Sequence, residues 1–212
     1  MEKKKRNWVG VIVLVFLLGV FPILSYVYMK AGFDYQLDAR AELKKLGTVM
    51  SLPDTTIFGD TLVGTKMGKQ ISLLSYFDPT DQQTLAISGK YLSEIHNQFN
   101  DVDWFRMDLL VPQTAKSALS AYQEEYEVED AEQVFFYQTN QSLQEINGSL
   151  YVADSLQNKF NCVALADTTG TIVNYYDLSD GKQFVRLVEH IAIMRPKEKA
   201  KPQAIFQRER EL

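Results

Sequence analysis

CVALADTTGTIVNYYDLSDGKQFVRLVEHIAIM, residues 162–194, carries the reading of the fold. Two short apolar runs, CVALAD and TIVNYYD, flank the turn TTG, which reads as an antiparallel hairpin. After DLSDG the spacing changes. Phe184, Leu187, Val188, Ile191 and Met194 fall on one stripe at helical period. The stretch therefore closes on strand, strand, helix. Tyr175 and Tyr176 are neighbours in a strand and must point to opposite faces of the sheet.

Working back from the hairpin, KQISLLSYF, ending at Phe77, is a continuous apolar run and reads as a central strand buried on both faces. DPTDQQ follows, with Pro79 and Asp81 suited to a helix start. Leu85, Leu92, Ile95 and Phe99 then line one helical stripe. DVDWFRMDLL, ending near Leu110, is a second strand. VPQTAKSALSAYQEEYEV is a helix with Thr114 as its expected cap, and QVFFYQ at 133–138 is a third strand. TNQSLQEINGSLYVADSLQNKF is a long polar connection with a short helix. Nearer the N-terminus, TTIFGDTLVG reads as a strand pair or hairpin turning at Gly59-Asp60 and Gly64. AELKKLG reads as a short helix capped by Gly47. Alternating strands and helices imply an α/β fold with a mixed sheet flanked by helices. A β-α-β-α-β run closed by β-β-α is the thioredoxin-like arrangement, which names a fold and not a function.

WVGVIVLVFLLGVFPILSYVYM, residues 8–29, holds no charge in 22 residues. About 20 apolar residues cross a bilayer, so this predicts a transmembrane helix. Trp8, Tyr26 and Tyr28 suit its interfaces. Lys3, Lys4, Lys5 and Arg6 hold the N-terminus inside, which places the chain beyond the span outside the cytoplasm; in a bacterium this is the periplasmic side of the inner membrane. The run is longer than the apolar part of a cleaved signal, and neither a small-x-small site nor a nearby cysteine comes after it, so an uncleaved single-pass anchor is expected. Pro22 is tolerable in such a segment. The expected division is a basic cytoplasmic end at 1–7, the anchor at 8–29, a stalk at 30–52, a thioredoxin-like domain at 53–194 and a charged tail at 195–212.

Net charge is −5, unevenly spread: +4 over the first 30 residues, −12 over 31–194 and +3 over 195–212. So acidic a domain would repel phosphates, which argues against a nucleic-acid partner. The basic tail reads as a solvated end, or as a contact for lipid headgroups or the acidic domain. Cys162 is the one cysteine of the sequence. It can form no intrachain disulfide, and its setting, NCVALAD, predicts a buried, inert thiol.

The C-terminal stretch, from KFNCVALAD onward, resembles the end of the SCO/SenC family. Leu165, Asp167, Gly170, Tyr175, Tyr176 and Asp177 fill the places of that family's "-LVD" strand, glycine turn and "YYD" strand end. The single N-terminal anchor matches too. The resemblance spans roughly 50–194 and is specific in the last 35 residues or so. It implies a membrane-anchored, thioredoxin-like copper protein that serves cytochrome oxidase assembly. Family chemistry rests on a C-x-x-x-C motif after the first central strand, with a distant histidine as third ligand. Two thiolates and an imidazole suit Cu(I), and the two sulfurs can exchange electrons. Here that stretch reads SLLSYFDPTDQQTLAI. Phe77 takes the place of the aromatic before the motif, Thr80 and Thr84 take the cysteine places, and Asp81 stands where the family carries proline. The segment YVADSLQNKFN, where the histidine is due, has none. A threonine hydroxyl stays protonated at neutral pH and forms no disulfide. The resemblance therefore gives Thr80 and Thr84 a location without redox or copper chemistry, and no cofactor is expected. What remains is a binding or assembly protein, with a protein partner near the membrane; respiratory-complex assembly comes from the resemblance alone.

Other readings stay open. Asp78 and Asp81 flank Pro79 and could form a polar site for a hard cation or acid–base work, or simply fix a turn. An enzyme of another class would use that loop or the 139–161 connection. Asp154 is equally ambiguous, and Asp167 suits an Asx turn. His96 and His190 are expected on helix surfaces, solvated or capping, and too few to build a metal site. A copper-delivery protein with an altered site would draw on a partner chain, or on Cys162 with methionine, although Met67 and Met107 form no soft-ligand cluster in sequence. Asn147, in NGS, is expected in an exposed loop. Phe33, Tyr35, Tyr122, Tyr126, Tyr151, Tyr175 and Tyr176 are more aromatics than a core needs, which favours a binding surface.

Overall fold

The computed structural model describes residues 8–49, 51–53, 55–59, 70–128 and 133–196. It opens with one long helix, α1 (Trp8–Glu42), about 52 Å long at 1.5 Å per residue. A π-helical turn, Phe16–Val20, interrupts its regularity without breaking it. Pro22 sits within the first two positions of the α-helical part after that turn. The helix is long and apolar enough to cross a membrane, a property that anchors and signal sequences share.

Beyond it lie β1 (Gly47–Thr48), β2 (Ile71–Tyr76), α2 (Lys90–Phe99), β3 (Phe105–Pro112), α3 (Lys116–Tyr126), β4 (Val134–Thr139), α4 (Leu143–Ser149), β5 (Cys162–Ala166), β6 (Thr171–Asp177) and α5 (Gly181–Met194). The sheet order is β1-β6-β5-β2-β3-β4. β2, β3 and β4 run parallel; β5 lies antiparallel to β2, and β6 to β5. This is the mixed sheet with thioredoxin-like topology that the element order implies. Gly170, at φ +75°, supplies the left-handed turn between β5 and β6.

Helices cover both faces of the sheet. On one face Leu73, Met107, Leu109, Phe136 and Leu165 pack with Leu92 and Ile95 of α2, Leu119 and Tyr122 of α3, and Leu187 and Ile191 of α5. On the other, Leu74, Tyr76, Leu110, Cys162 and Ala164 pack with Ile146 and Leu150 around α4. Cys162 is buried, as its setting predicts, and burial pushes its thiol up to about 11. The second face also seals a charged pair. Arg106 and Asp108, two apart on β3, share that face. The Arg106 guanidinium donates to the Asp108 carboxylate and, at 3.0 Å, to the Tyr137 hydroxyl, and lies 4.7 Å from the Phe135 ring centre.

Several local expectations change. The short helix expected over AELKKLG is instead the end of α1, which stops at Glu42; Gly47 lies in β1 and pairs with Ile172 of β6. A Cβ there would fall 1.9 Å from the Tyr151 ring, so any other residue would have to displace that exposed ring. Thr114 sits within a 3-10 turn, Gln113–Ala115, and α3 begins without a side-chain cap. Asn147 is buried rather than in an exposed loop; its amide donates to the Gln157 and Lys159 carbonyls at 2.9 and 3.0 Å. His96 and His190 are buried, not on helix surfaces, since the helix faces that carry them turn inward. Of the expected 55–64 hairpin, Thr56 bridges Tyr137 at the β4 edge; residues 60–69, with Gly64 and Met67, lie outside the described ones, as do 1–7 and 197–212.

The end of α1 is bonded to the domain at several points. The Tyr35 hydroxyl lies 2.7 Å from both Glu189 carboxylate oxygens. Arg186 donates to Glu42 at 2.7 and 2.8 Å and to Glu189 at 2.9 Å, and stands 5.2 Å from the Tyr35 ring centre. Ala39 is fully buried. His190 faces Glu42 at 3.6 Å through Nε2 and the Tyr176 hydroxyl at 2.5 Å through Nδ1. Past the helix, the Lys44 and Leu46 amides bond to the Val173 and Ile172 carbonyls of β6. Within the expected stalk at 30–52, residues 30–42 continue the helix and Gly47–Thr48 form the edge strand β1.

Candidate functional site

In open α/β sheets, ligands meet the fold outside the carboxyl ends of the parallel strands. At β2 that edge is the loop 77–84. The Phe77 amide bonds to the Leu110 carbonyl, which extends the parallel pairing one residue past the strand. Asp78 then turns the chain. Its Oδ1 accepts from the Thr80 amide at 3.0 Å and from the Thr80 hydroxyl at 2.6 Å, an Asx turn around buried Pro79. Asp81 is the N-cap of the helical segment that leads into α2. Its Oδ2 accepts from the Thr84 amide at 2.7 Å and from the Thr84 hydroxyl at 2.8 Å.

The four residues Asp78, Thr80, Asp81 and Thr84 are therefore brought together, as two carboxylate–threonine pairs. Each hydroxyl donates to the carboxylate two or three residues before it. Thr84 is fully buried, and Thr80 is exposed. β5 runs antiparallel beside β2, so its leading residues reach the same edge. Asn161 meets Ser88 of the adjoining π-helical turn at 2.9 Å, the Phe160 ring lies 6.5 Å from Tyr76, and Ser75 donates to the Cys162 carbonyl. The floor of the edge is hydroxyl, amide and aromatic. The one thiol of the sequence faces the α4 side instead.

The other candidates do not join this edge. Met107 packs on the α2 side of the sheet and Cys162 on the α4 side, so they do not converge on Thr80 and Thr84. Among the described residues no group of three histidine, cysteine or carboxylate side chains is placed to hold a metal ion. Asp167 builds its expected Asx turn, accepting from the Thr169 and Thr171 amides at 2.8 and 3.0 Å. Asp154 accepts from the Gln157 side chain at 2.9 Å. The 139–161 connection is a packed element. α4 starts with a Ser142–Glu145 capping box, and the connection closes on Asn147.

Of the aromatics, Tyr122 and Tyr176 belong to the core, Tyr175 is half-buried on the opposite face of β6, and Phe33, Tyr35 and Tyr151 are exposed. A groove of about 480 Å³ lies beside Tyr175, lined also by Glu42, Lys44, Leu46, Val173 and Asn174. Sequence reasoning missed the bonding of α1 to α5, because its members lie 144 and 154 residues apart. It also missed the buried pair in β3, although Arg and Asp two apart within the apolar run FRMDLL were a visible signal.

No protein-family model matches the chain, and no curated protein matches it. Solved structures do. The chain is similar to a SCO1/SenC family lipoprotein from Bacillus anthracis at 12% identity and a TM-score of 0.53, covering 71% of this chain and 96% of that one. It is also similar to a thiol:disulfide interchange protein from a Bacteroides species at 12% identity and a TM-score of 0.52, covering 77% and 98%. These likenesses establish the fold: the described residues after α1 have a thioredoxin-like fold. With one cysteine, the sequence holds no C-x-x-x-C motif.

Proposed function

We propose that this chain is a membrane-anchored, extracytoplasmic, SCO-like domain that works by binding a protein partner, without redox or copper chemistry of its own. The observation that carries the reading is the pairing at the β2 edge. Thr80 and Thr84 stand where the SCO/SenC resemblance puts cysteines, and their hydroxyls donate to Asp78 and Asp81. Residues so engaged shape a turn and cap a helix. They offer neither a thiolate for Cu(I) nor a sulfur for exchange. The uncharged span and the basic residues before it support an inner-membrane anchor with the domain on the periplasmic side, and the resemblance points to respiratory-complex assembly as the setting of the partner.

A photo-crosslinking side chain at Thr80, in the full-length protein in its native membrane, tests the partner. The reading expects one defined adduct. Solvent-only labelling at Thr80, and equally at Tyr175 on the other aromatic face, would remove the partner-binding claim.

A further inference from the structure

The order in which α1 meets the domain carries an inference about where the domain sits. From its apolar end, α1 first reaches Glu189, on the outer side of α5, through Tyr35. It then reaches His190, on the fully buried side of α5, beside Ala39 and Glu42. Past its end the chain reaches the sheet at Val173 and Ile172. The sequence of contacts is outer face, inner face, sheet. α5 therefore lies between the sheet and the apolar part of α1, with its outer face turned back along that helix.

The distances bring this face to a membrane surface. Tyr35 is six residues past Met29, the last of the uncharged run, which is about 9 Å of helix. Headgroups add about 5–8 Å beyond each side of the hydrocarbon layer. No flexible linker separates the span from the domain, because the helix is continuous and its last turns are bonded to α5. Apolar side chains stand exposed in this zone. Phe33 and Leu37, four apart and so on one face of α1, are 61% and 48% exposed, and Val185 on the outer side of α5 is 56% exposed. Lys30 stands at the end of the uncharged run and Lys182 and Arg195 at the two ends of α5, interspersed with the carboxylates of Asp34, Asp38, Asp180 and Glu189. The chain leaves the described residues at 196, and the sequence beyond opens with Lys197, Lys199 and Lys201 against one glutamate, Glu198. Exposed apolar side chains with lysine and arginine nearby are features of a surface that lies against headgroups.

We propose that the outer face of α5, with Phe33 and Leu37, rests on the lipid headgroup layer, so that the domain is seated on the membrane in one orientation. This rests on α1 being an uncleaved anchor. The test places single nitroxide labels on the full-length protein in lipid nanodiscs and compares collision with oxygen, which concentrates in lipid, against collision with an aqueous nickel chelate. The labelled positions are Leu17→Cys in the span, Leu37→Cys, Val185→Cys, and Gln144→Cys on α4, on the far side of the sheet; buried Cys162 does not compete for label. Leu17→Cys should exclude nickel, Gln144→Cys should admit it freely, and Leu37→Cys and Val185→Cys should read several-fold below Gln144→Cys. Nickel access at Val185→Cys equal to that at Gln144→Cys, with Leu17→Cys still protected, overturns the seating and leaves the anchor intact. Free access at Leu17→Cys instead overturns the anchor itself. Adding Arg186→Ala should raise nickel access at Val185→Cys and leave Leu37→Cys unchanged; no change at Val185→Cys would contradict seating through these contacts.

Discussion

Two carboxylate-rich regions of this protein use the same chemistry over different spans of sequence. At the β2 edge, Asp78 and Asp81 accept from residues two and three positions on. At the junction of α1 and α5, Glu42 and Glu189 bond to residues 144 and 154 positions away. Bonds of the first kind settle a turn and a helix cap and leave the rest of the molecule indifferent. Bonds of the second kind fix one element against another. At the β2 edge the two carboxylate–threonine pairs are local, beside the longer-range bonds of Ser75 to Cys162 and Ser88 to Asn161. At the end of the long helix the carboxylates instead bond between α1 and α5.

The largest effect should come from the buried pair in β3, against which both regions can be measured. Asp108→Ala leaves the Arg106 charge sealed within the sheet, and breaking such a pair costs about 3–5 kcal/mol. Denaturant unfolding should show it as a large fall in midpoint; a shift like that of a surface substitution would mean water reaches Arg106. Asp81→Ala, at the β2 edge, should cost about 1 kcal/mol, the usual value of an N-cap, with the effect confined to the start of the helix. Amide exchange there should accelerate locally while β2 and β3 keep their protection. Global loss of protection would make the edge more than a cap.

At the junction, Glu42→Ala should cost less than about 1 kcal/mol, because its partner Arg186 is solvent-screened and Glu42 is half-exposed. Its signature is geometric: α1 should gain freedom relative to the domain, read by spin-label distances from Phe33 to α5. Unchanged distances would show that Ala39 packing alone holds the helix. Acid should do the same by titration. The hydrogen bond from Arg186 holds the Glu42 carboxyl below its ordinary value of 4.5. The ion pair is therefore complete above that value and is lost as pH falls through the lowered one. His190, whose value burial and Arg186 depress below 6.5, acts in the same direction. Being neutral in the fold, it favours the folded state fully above 6.5, and that contribution declines as pH falls below 6.5 toward the depressed value. Spin-label distances that stay fixed from neutral pH down to full protonation of Glu42 would contradict the electrostatic part of the junction.

Much of the fold was legible because it rests on periodicity. The runs ISLLSY, VFFYQT, CVALA and TIVNYYD have strand length and turn-forming neighbours, and the α5 stripe keeps its helical period. The Asp81 cap and the Asp167 turn were legible for the same reason, since both are local. What stayed hidden depends on distance. His190 looked like a surface residue because nothing in EHIAIM shows that Glu42 and Tyr176 close over it. Asn147 looked like a loop residue because its partners, the Gln157 and Lys159 carbonyls, carry no side-chain signature. Gly47 looked like a helix cap, whereas it pairs with Ile172 of β6, 125 positions on, with the Tyr151 ring against it.

The central claim is that the β2 edge binds no soft metal. A competition titration of the full-length protein in detergent with Cu(I), against a chelator of known affinity under reducing conditions, tests it most directly. The account predicts that the chelator keeps the copper, with Thr80→Cys and Thr84→Cys together needed before the protein competes. Tight one-to-one binding by the unaltered chain would contradict it, and would mean that ligands elsewhere in the molecule converge on Cu(I).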